Sequence, residues 1–556
     1  MYMQQMPGEG SPVIPAGGSI YREGTEETRG RDALHLNITA GKAVAAAIRT
    51  TLGPHGMDKM LVDSIGDVVI TNDGITILQE MEIEHPAAKM MIEVAKVQDS
   101  EAGDGTTTAV IIGGELLRMA EDLIDQDLHP TIIAEGYRMA QEKAKEILSE
   151  ISFEVHPDDT QLLRAIAETA MTGKGAEAVK EQLSDCIVQA VGMVAREKGT
   201  CEVDDIKIEK KVGGSSEDSE IVDGIIIDKE RLNPAMPECV SNAKVLLLNT
   251  AVELRQTEID AEISITNPEQ IQEFLRKEEE MEKALVDRIV ASGADVVFCQ
   301  KGIDEFAEKE LAKAGIFALR RLKKSDMERL ADATGAEIVS SFDTLSSDDL
   351  GFAGEVEEKR IAGKRMVVVS KCQNPGTVSI IVSGGSDHVV NELLRAVDDG
   401  VHVVCSAFEE NMAVPGGGAS EVALSRRIRE YGSGVGGRPQ LAIEAFAGAL
   451  EVIPKTLAEN AGLDPIDMLV DLRTAHGNAG RMYGIDPDLG IPVDMKEAGV
   501  VEPLRVKTQA ISSATEAAVM ILRIDEIIAA SKSDMPGEEE MAKMGDIGGM
   551  GGMPMM

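Results

Sequence analysis

The chain has 556 residues, 43% of them hydrophobic, enough to bury large cores divided among several domains. Its 55 Lys and Arg against 97 Asp and Glu leave a net charge of −42. That argues against nucleic acid or an anionic membrane as partner, because neutralising phosphate takes surplus cations; solubility and mutual repulsion are the plainer consequence. Six scattered cysteines without a CxxC pair suggest neither a disulfide framework nor a zinc site. An N-terminal stretch without an apolar core, and no apolar run of membrane-spanning length, complete the expectation of a cytosolic protein.

In chain order, residues 1–18 read as a flexible start. A helical pattern runs from Asn37 through AGKAVAAAIRTTL and is broken at Gly53-Pro54. DVVITNDGITIL predicts two β-rich runs around Asn72-Asp73-Gly74, a tight hairpin with Asp73 at its exposed tip. Helices are expected at 87–99, 106–125 and 131–150, the last starting after Pro130, and again over 160–200.

Short strands begin near 203. From about 244, strands (AKVLLLNT, ADVVFCQ, IFALRRL, AEIVSS) alternate with helices, which predicts an α/β module with a largely parallel sheet. Within it, 267–291 reads as a helix with Asn267 as N-cap and Pro268 in its first turn. Ile271, Phe274, Leu275, Met281, Leu285, Val286 and Ile289 share one face that RKEEE interrupts. Periodicity alone does not choose between a core-packed helix with a solvated middle and one projecting beyond its domain. Strands return at RMVVVSKC and TVSIIVSGG, and the pattern is helical from about Asp387 almost to the low-complexity Gly/Met tail, 535–556, expected to be disordered. Helical material at both ends with an α/β insertion between predicts a discontinuous helical domain joined to the insertion through a small hinge. Something bound between the two halves would then control the position of the insertion.

Chemistry concentrates in a few loops. MTGKGAE (171–177) is not a phosphate-binding P-loop, because Glu168 stands where the first Gly belongs and Gly175 replaces the Ser/Thr. GSGVGG (432–437) lacks the strand-then-helix setting of a dinucleotide site and reads as a helix–helix linker. EAGDGTTTAV (101–110) is a better anion site. A helix starting at Thr106–Thr108 offers unpaired N–H groups, a positive dipole end and three hydroxyls, and Gly105 allows close approach. Asp104 would repel a bare phosphate and makes most sense as a ligand for Mg²⁺ carried on one; the plain alternative is an Asp-Gly turn with a Thr N-cap. TLGPHG (51–56) is a second helix end with a Gly-containing loop, and PGGGASEVALSRRI (415–428) sets three glycines before another helix N-terminus. Such signals in both halves of the helical material are less easily accidental than any one of them.

Together these stretches closely resemble the group II chaperonins, the archaeal thermosome and its eukaryotic cytosolic relatives. The likeness runs through RTTLGPHGMDKMLVDSIGDVVITNDGITIL, GDGTTTAV, DQDLHPTIIAEGY, ADVVFCQKGID, PGGGASE, LAENAGLDPIDMLV and GVVEPLRVKTQAISSATEAAVMILRIDEII, from about residue 20 to 532. It implies a multidomain α/β chain. A mostly helical, discontinuous equatorial ATP-binding domain would comprise 19–157 and 414–534, and a small α+β intermediate hinge domain 158–226 and 379–413. An α/β apical domain, 227–378, would carry a helical lid protrusion at about 254–282.

The implied function is that of an ATP-dependent chaperone enclosing unfolded or partly folded clients in a double ring with a built-in lid and no separate co-chaperonin. The ring would form by self-association, with paralogous subunits as an option. Thr51, Leu52, Gly53 and Pro54 match the family's phosphate loop, Asp104 its Mg²⁺ ligand, and Gly105, Thr106, Thr107 and Thr108 its phosphate-binding helix start. Asp73 and Asp399 match the carboxylates that orient the attacking water, and Lys174 the lysine that senses the γ-phosphate. Gly417 matches a nucleotide contact, and Gly484, Ile485, Asp486 and Glu497 the adenosine end. Three positions depart from the pattern: His55 for Lys or Arg, Gly400 for an Ala, which would loosen the hinge helix, and Ser383 for an Arg. They put the hydrolysis rate in question and keep open a second reading, a diverged partner-dependent or weakly hydrolysing subunit or holdase.

Overall fold

The computed structural model describes residues 26–253, 268–361, 364–372, 374, 377–478 and 480–529. The expected flexible ends, the N-cap at Asn267, the first part of the lid protrusion and the side chains of Ile271, Phe274 and Leu275 lie outside the described residues.

The chain opens with β1 (Glu26–Arg29) and α1 (Arg31–Ile48), then β2 (Lys59–Val62), β3 (Val68–Thr71), α2 (Gly74–Glu80), α3 (Pro86–Ala102), α4 (Thr106–Asp125), α5 (Pro130–Ile151) and β4 (Phe153–Glu154). α3 and α5 start alike. The His85 and His129 rings accept the N–H of Ala87 and Thr131, and Pro86 and Pro130 fill the first turn, where a missing N–H costs nothing.

The hairpin is not where the sequence pattern puts it. β2 and β3 are the antiparallel pair, from Lys59↔Thr71 to Val62↔Val68, and Asp63 Oδ1 holds their turn by accepting from Ile65 N and Asp67 N. Asp73, only 8% exposed, caps α2: its Oδ2 accepts from Thr76 N at 3.0 Å and Thr76 Oγ1 at 2.6 Å. GITIL is therefore helical. Burial of Ile75, Ile77 and Leu78 in the helical core, behind a satisfied N-cap, overrides the strand preference of Ile and Thr.

The middle of the chain starts with α6 (Thr160–Met171) and α7 (Lys180–Lys198), so turns at 172–179, with Gly173 and Gly175 at positive φ, interrupt the helix expected over 160–200. β5 (Ile206–Val212), β6 (Glu220–Asp223), β7 (Ile225–Ile227), β8 (Cys239–Leu248), α8 (Pro268–Ser292), β9 (Val296–Cys299), α9 (Glu305–Lys313), β10 (Phe317–Leu319), α10 (Lys324–Thr334), β11 (Ile338–Val339), β12 (Gly351–Ile361), β13 (Lys364–Cys372) and β14 (Val378–Gly384) follow. Seven of these strands form one sheet in the order β10-β9-β8-β12-β13-β7, with β11 on β8. Its β8, β9, β10 and β11 pairings are parallel, but β12 is antiparallel to β8 and β13, and β13 to β7, so the sheet is mixed rather than largely parallel. Alternate residues bury on opposite faces. Leu247, Phe298 and Phe317 pack with Met327 and Leu330 of α10, whereas Leu246, Leu248 and Val297 pack with Val286 and Ile289 of α8. Among the described residues of α8, Val286 and Ile289 are core-packed and Met281 is 61% exposed.

The last part comprises α11 (Asp387–Glu410), β15 (Met412–Pro415), α12 (Ala419–Val435), α13 (Gly437–Leu450), α14 (Val452–Asn460), α15 (Pro465–Asn478), β16 (Tyr483–Asp486), β17 (Ile491–Asp494), β18 (Val501–Pro503), α16 (Leu504–Leu522) and β19 (Glu526–Ala529). GSGVGG spans the α12–α13 junction, as a linker should. Helices from both ends share one core: α1, α3, α4 and α5 supply Ile38, Met91, Leu116 and Tyr137, and α13 and α16 supply Phe446 and Ile511. β1 pairs antiparallel with β19, Glu26 opposite Ala529. A second core of α6, α7, β14 and α11 lies between the helical core and the seven-stranded sheet in chain connectivity, and takes in Ala102 of α3, Val501 of β18 and Val506 of α16.

Candidate nucleotide site

The GDGTTT segment joins α3 to α4. Gly103 and Gly105 both take left-handed φ, +68° and +79°. A Cβ at 103 would fall 2.1 Å from His402 Cβ, and one at 105 would fall 2.9 Å from Val506 Cγ1, so the loop is held where only glycine fits. α4 begins at Thr106 with no side-chain cap among the described residues, and its first-turn N–H groups and dipole are available to an anion.

Around that helix end one cavity gathers segments from across the chain. Thr51, Leu52, Gly53 and Pro54 line it, with Asp73, Asp104, Gly105, Thr106, Thr107, Thr108, Lys174, Gly417 and Ile485. The 51–54 loop is pinned from α14: Asn460 Nδ2 donates to Leu52 O at 2.8 Å. The 173–175 turn approaches it so closely that a Cβ on Gly173 would sit 2.8 Å from Gly53 O.

Lys174 is the electrostatic centre. Its Nζ donates to Asp104 Oδ1 at 3.1 Å and to Asp399 Oδ2 at 2.5 Å. Burial alone would depress the lysine pKa, but Asp104, Asp399 and Asp73 together raise it, so Lys174 is a fixed cation. Burial pushes the Asp399 carboxyl well up, against the pull of Lys174, and the Asp73 and Asp104 charges add to the rise. Asp399 sits on α11 behind the cavity, and Lys174 connects it to Asp104. Mg²⁺ commonly binds through one or two carboxylates with substrate phosphates and water completing its shell. A single hard-oxygen ligand, Asp104, beside a bare helix N-terminus fits that pattern.

At the other end, Ile485 N donates to Gly417 O at 2.9 Å, docking β16 on the glycine triplet. Gly484, Asp486 and Glu497 do not reach the lining. Gly484 packs under Met495, Asp486 Oδ1 is occupied by the N–H groups of Asp488 and Leu489, and Glu497 lies on an exposed turn after β17.

Two charged groups that the sequence reading passed over also line the cavity. Lys507 Nζ pairs with Glu421 Oε1 at 2.8 Å and Glu502 Oε2 at 3.1 Å; Lys507 and Glu421 are buried and Glu502 is partly buried. Burial pushes the Glu502 carboxyl up and Lys507 pulls it down, with a net rise. In sequence a single lysine in VKTQA resembles a solvated helix face; only the packing of α16 on β18 and α12 turns it inward.

The three departures from the family pattern have local explanations. His55 Nε2 lies 3.1 Å from Asp488 Oδ1, tying the 51–56 loop to the turn after β16. Gly400 does not loosen its helix: it is buried against α7, where a Cβ would meet Ile187 Cδ1 at 2.6 Å. Ser383 is fully buried, its Oγ donating to Asp218 O at 3.1 Å.

The family model of the TCP-1/cpn60 chaperonin family matches residues 44–532. The chain is 58% identical over 551 residues to a thermosome subunit beta of Archaeoglobus fulgidus, covering 99% of both chains. It is 55% identical over 542 residues to a thermosome subunit of Methanocaldococcus jannaschii, covering 97% of this chain and 99% of that one. Among solved structures it is similar to an open-state monomer of a group II chaperonin from Methanococcoides burtonii, with TM-score 0.60 and 50% identity over 76% of this chain and all of that one. With that breadth of match, and with helices from both chain ends closing over one cavity, the chain belongs to the TCP-1/cpn60 chaperonin family, in its group II branch.

Proposed function

We propose that this cavity binds and hydrolyses ATP with Mg²⁺, and that the cycle opens and closes a chamber in which unfolded or partly folded proteins fold. The observation that carries the reading is the Asp104–Lys174–Asp399 chain of contacts. It connects the N-terminus of α4 to α11, the helix through which the central segments rejoin the helical core. We assign 19–157 and 414–534 to an equatorial domain, 158–226 and 379–413 to an intermediate hinge, and 227–378 to an apical client-binding domain. In this reading 254–282 forms the lid, subunits of this chain assemble into stacked rings in the cytoplasm, and no separate co-chaperonin is needed.

The α4 N–H groups and the hydroxyls of Thr106, Thr107 and Thr108 hold the phosphates, and Thr51 to Pro54 cover them from the opposite wall. Asp104 would hold Mg²⁺, which would supply neutralisation of charge on the transferring phosphoryl group. Asp73 and Asp399 orient the attacking water and accept its proton as the new P–O bond forms and the bridging P–O bond to ADP breaks. Gly417 and Ile485 flank the nucleoside, with Gly484, Asp486 and Glu497 assigned to the adenosine end on family resemblance. A γ-phosphate competes with Asp104 and Asp399 for Lys174. Its arrival and loss therefore change the tie between α11 and the helical core, which moves the apical segments.

The test is steady-state ATP hydrolysis by the purified chain with Mg²⁺, beside Asp399→Ala, on material sized by light scattering. Turnover by a megadalton-scale particle that disappears in the variant supports the reading. A ring that binds ATP without turnover supports instead the partner-dependent subunit.

A further inference from the structure

Gln98 sits in α3 and is fully buried. Its Nε2 donates to the backbone carbonyl of Asp104 at 2.7 Å and to that of Val506 at 3.2 Å. Both partners are acceptors, so only the NH₂ half of the amide can face them, and the orientation of the side chain is fixed. Its Oε1 has no hydrogen-bond partner among the described residues, which makes the amide an expensive choice for a core position. The Nε2 also lies where a Cβ on Gly105 would approach to 3.1 Å, so it packs against the loop it bonds. The second acceptor, Val506, immediately precedes Lys507, which ties the same junction to Glu421 at the start of α12.

From this geometry we infer that Gln98 is a positioning residue for Asp104. It anchors the Asp104 carbonyl to the β18–α16 junction and so fixes where the carboxylate stands relative to the α4 N-terminus. The inference rests on Asp104 being the Mg²⁺ ligand and adds the group that aims it. Gln98 touches no part of the nucleotide; it acts through one backbone oxygen. Residues that orient a metal ligand typically matter about 10–100-fold in metal affinity.

The test measures binding of a methylanthraniloyl-labelled ADP to full-length rings by fluorescence, once with MgCl₂ and once with EDTA. The dissociation constant in EDTA divided by that in MgCl₂ isolates the metal-dependent part. Five chains are compared, the wild type, Asp104→Ala, Gln98→Met, Gln98→Asn and the double variant Asp104→Ala with Gln98→Met, with ring assembly checked by light scattering. Met keeps the length of the side chain and removes the donor, while Asn keeps the donor and shortens its reach.

The inference expects Gln98→Met to lower the ratio about tenfold or more, Gln98→Asn to lower it less, and neither to weaken binding in EDTA. Gln98→Met added to Asp104→Ala should lower the ratio no further, because the group it positions is gone. Equal weakening with and without the metal, or an unchanged ratio in assembled rings of either variant, would show that Gln98 only packs. If Asp104→Ala leaves the ratio as in the wild type, the Asp104 assignment itself fails and this inference fails with it, a result distinct from failure of Gln98 alone.

Discussion

Replacing Lys507 with methionine removes the cation from a largely buried triad while keeping its volume. In the native chain Lys507 Nζ holds Glu421 at 2.8 Å and Glu502 at 3.1 Å, and Lys507 and Glu421 are 5% and 1% exposed. Without the lysine two carboxylates face each other in a low-dielectric site. Breaking a buried ion pair from one side costs about 3–5 kcal/mol. For a cooperative unit of roughly 250 residues that is a fall in Tm of about 6–10 °C near pH 7.5.

The sign of the pH dependence is fixed. The stranded carboxylates hold protons more tightly folded than unfolded, so the folded state binds the excess protons and stability rises as pH falls toward and below the ordinary Glu range. The deficit of Lys507→Met should therefore shrink between pH 8 and pH 5. Adding Glu421→Gln and Glu502→Gln should recover most of it at pH 7.5, because neutral groups of the same shape carry no desolvated charge. The assay is thermal unfolding followed by far-UV circular dichroism across that pH range. A Lys507→Met melt equal to the wild type, or a deficit that does not change with pH, would refute the argument.

Gly53→Ala should weaken nucleotide binding while assembly persists: φ is +85°, which strains any residue but glycine, and the new methyl would lie 2.4 Å from Leu457 Cδ2, so the 51–54 loop or the Leu457 side chain lining the cavity beside it must move. Fluorescent-nucleotide titration would read a loss of about 1–2 kcal/mol in affinity, and unchanged binding would show that the loop does not carry the phosphate. Glu451 gives an acid-side prediction. Burial pushes its pKa up, but hydrogen bonds from Arg429 and Arg473 outweigh that and hold it down at about 2. A depressed carboxylate contributes stability above its unfolded pKa and loses it as pH falls toward the folded value. Acid melts between pH 5 and pH 2 should therefore lose up to about 3 kcal/mol through this group, less the screening of two half-exposed arginines. Glu451→Gln should flatten that part of the profile, and a profile as steep as the wild type would count against the assignment.

The amino-acid sequence by itself determined the local pieces whose causes are local. Helix starts at Pro86 and Pro130, the stop at Gly53-Pro54, the linker at GSGVGG and the glycine-flanked entry to α4 all follow from backbone chemistry within a few residues, so reading along the chain finds them. The same holds for Asp104, because an acid between two glycines before a threonine run has few plain uses.

What the tertiary structure decided is where long-range burial outweighs local preference. GITIL becomes a helix because its apolar side chains meet a core built from both ends of the chain, and Asp73 turns from a hairpin tip into a buried cap. The β12–β13 hairpin makes the central sheet mixed because β12 docks antiparallel on β8, whose paired residues lie more than a hundred positions away. Gly400 reads as slack in a helix and proves to be a site of close packing against Ile187. Lys507 and Gln98 carry no sequence signal at all. Each sits in an ordinary amphipathic helix, and only the junction of α3, β18 and α16 makes one the cation between two carboxylates and the other the tether of Asp104. Polar groups of this kind take their meaning from the three-dimensional pairing that satisfies them, and pairing across four hundred residues is decided by the fold.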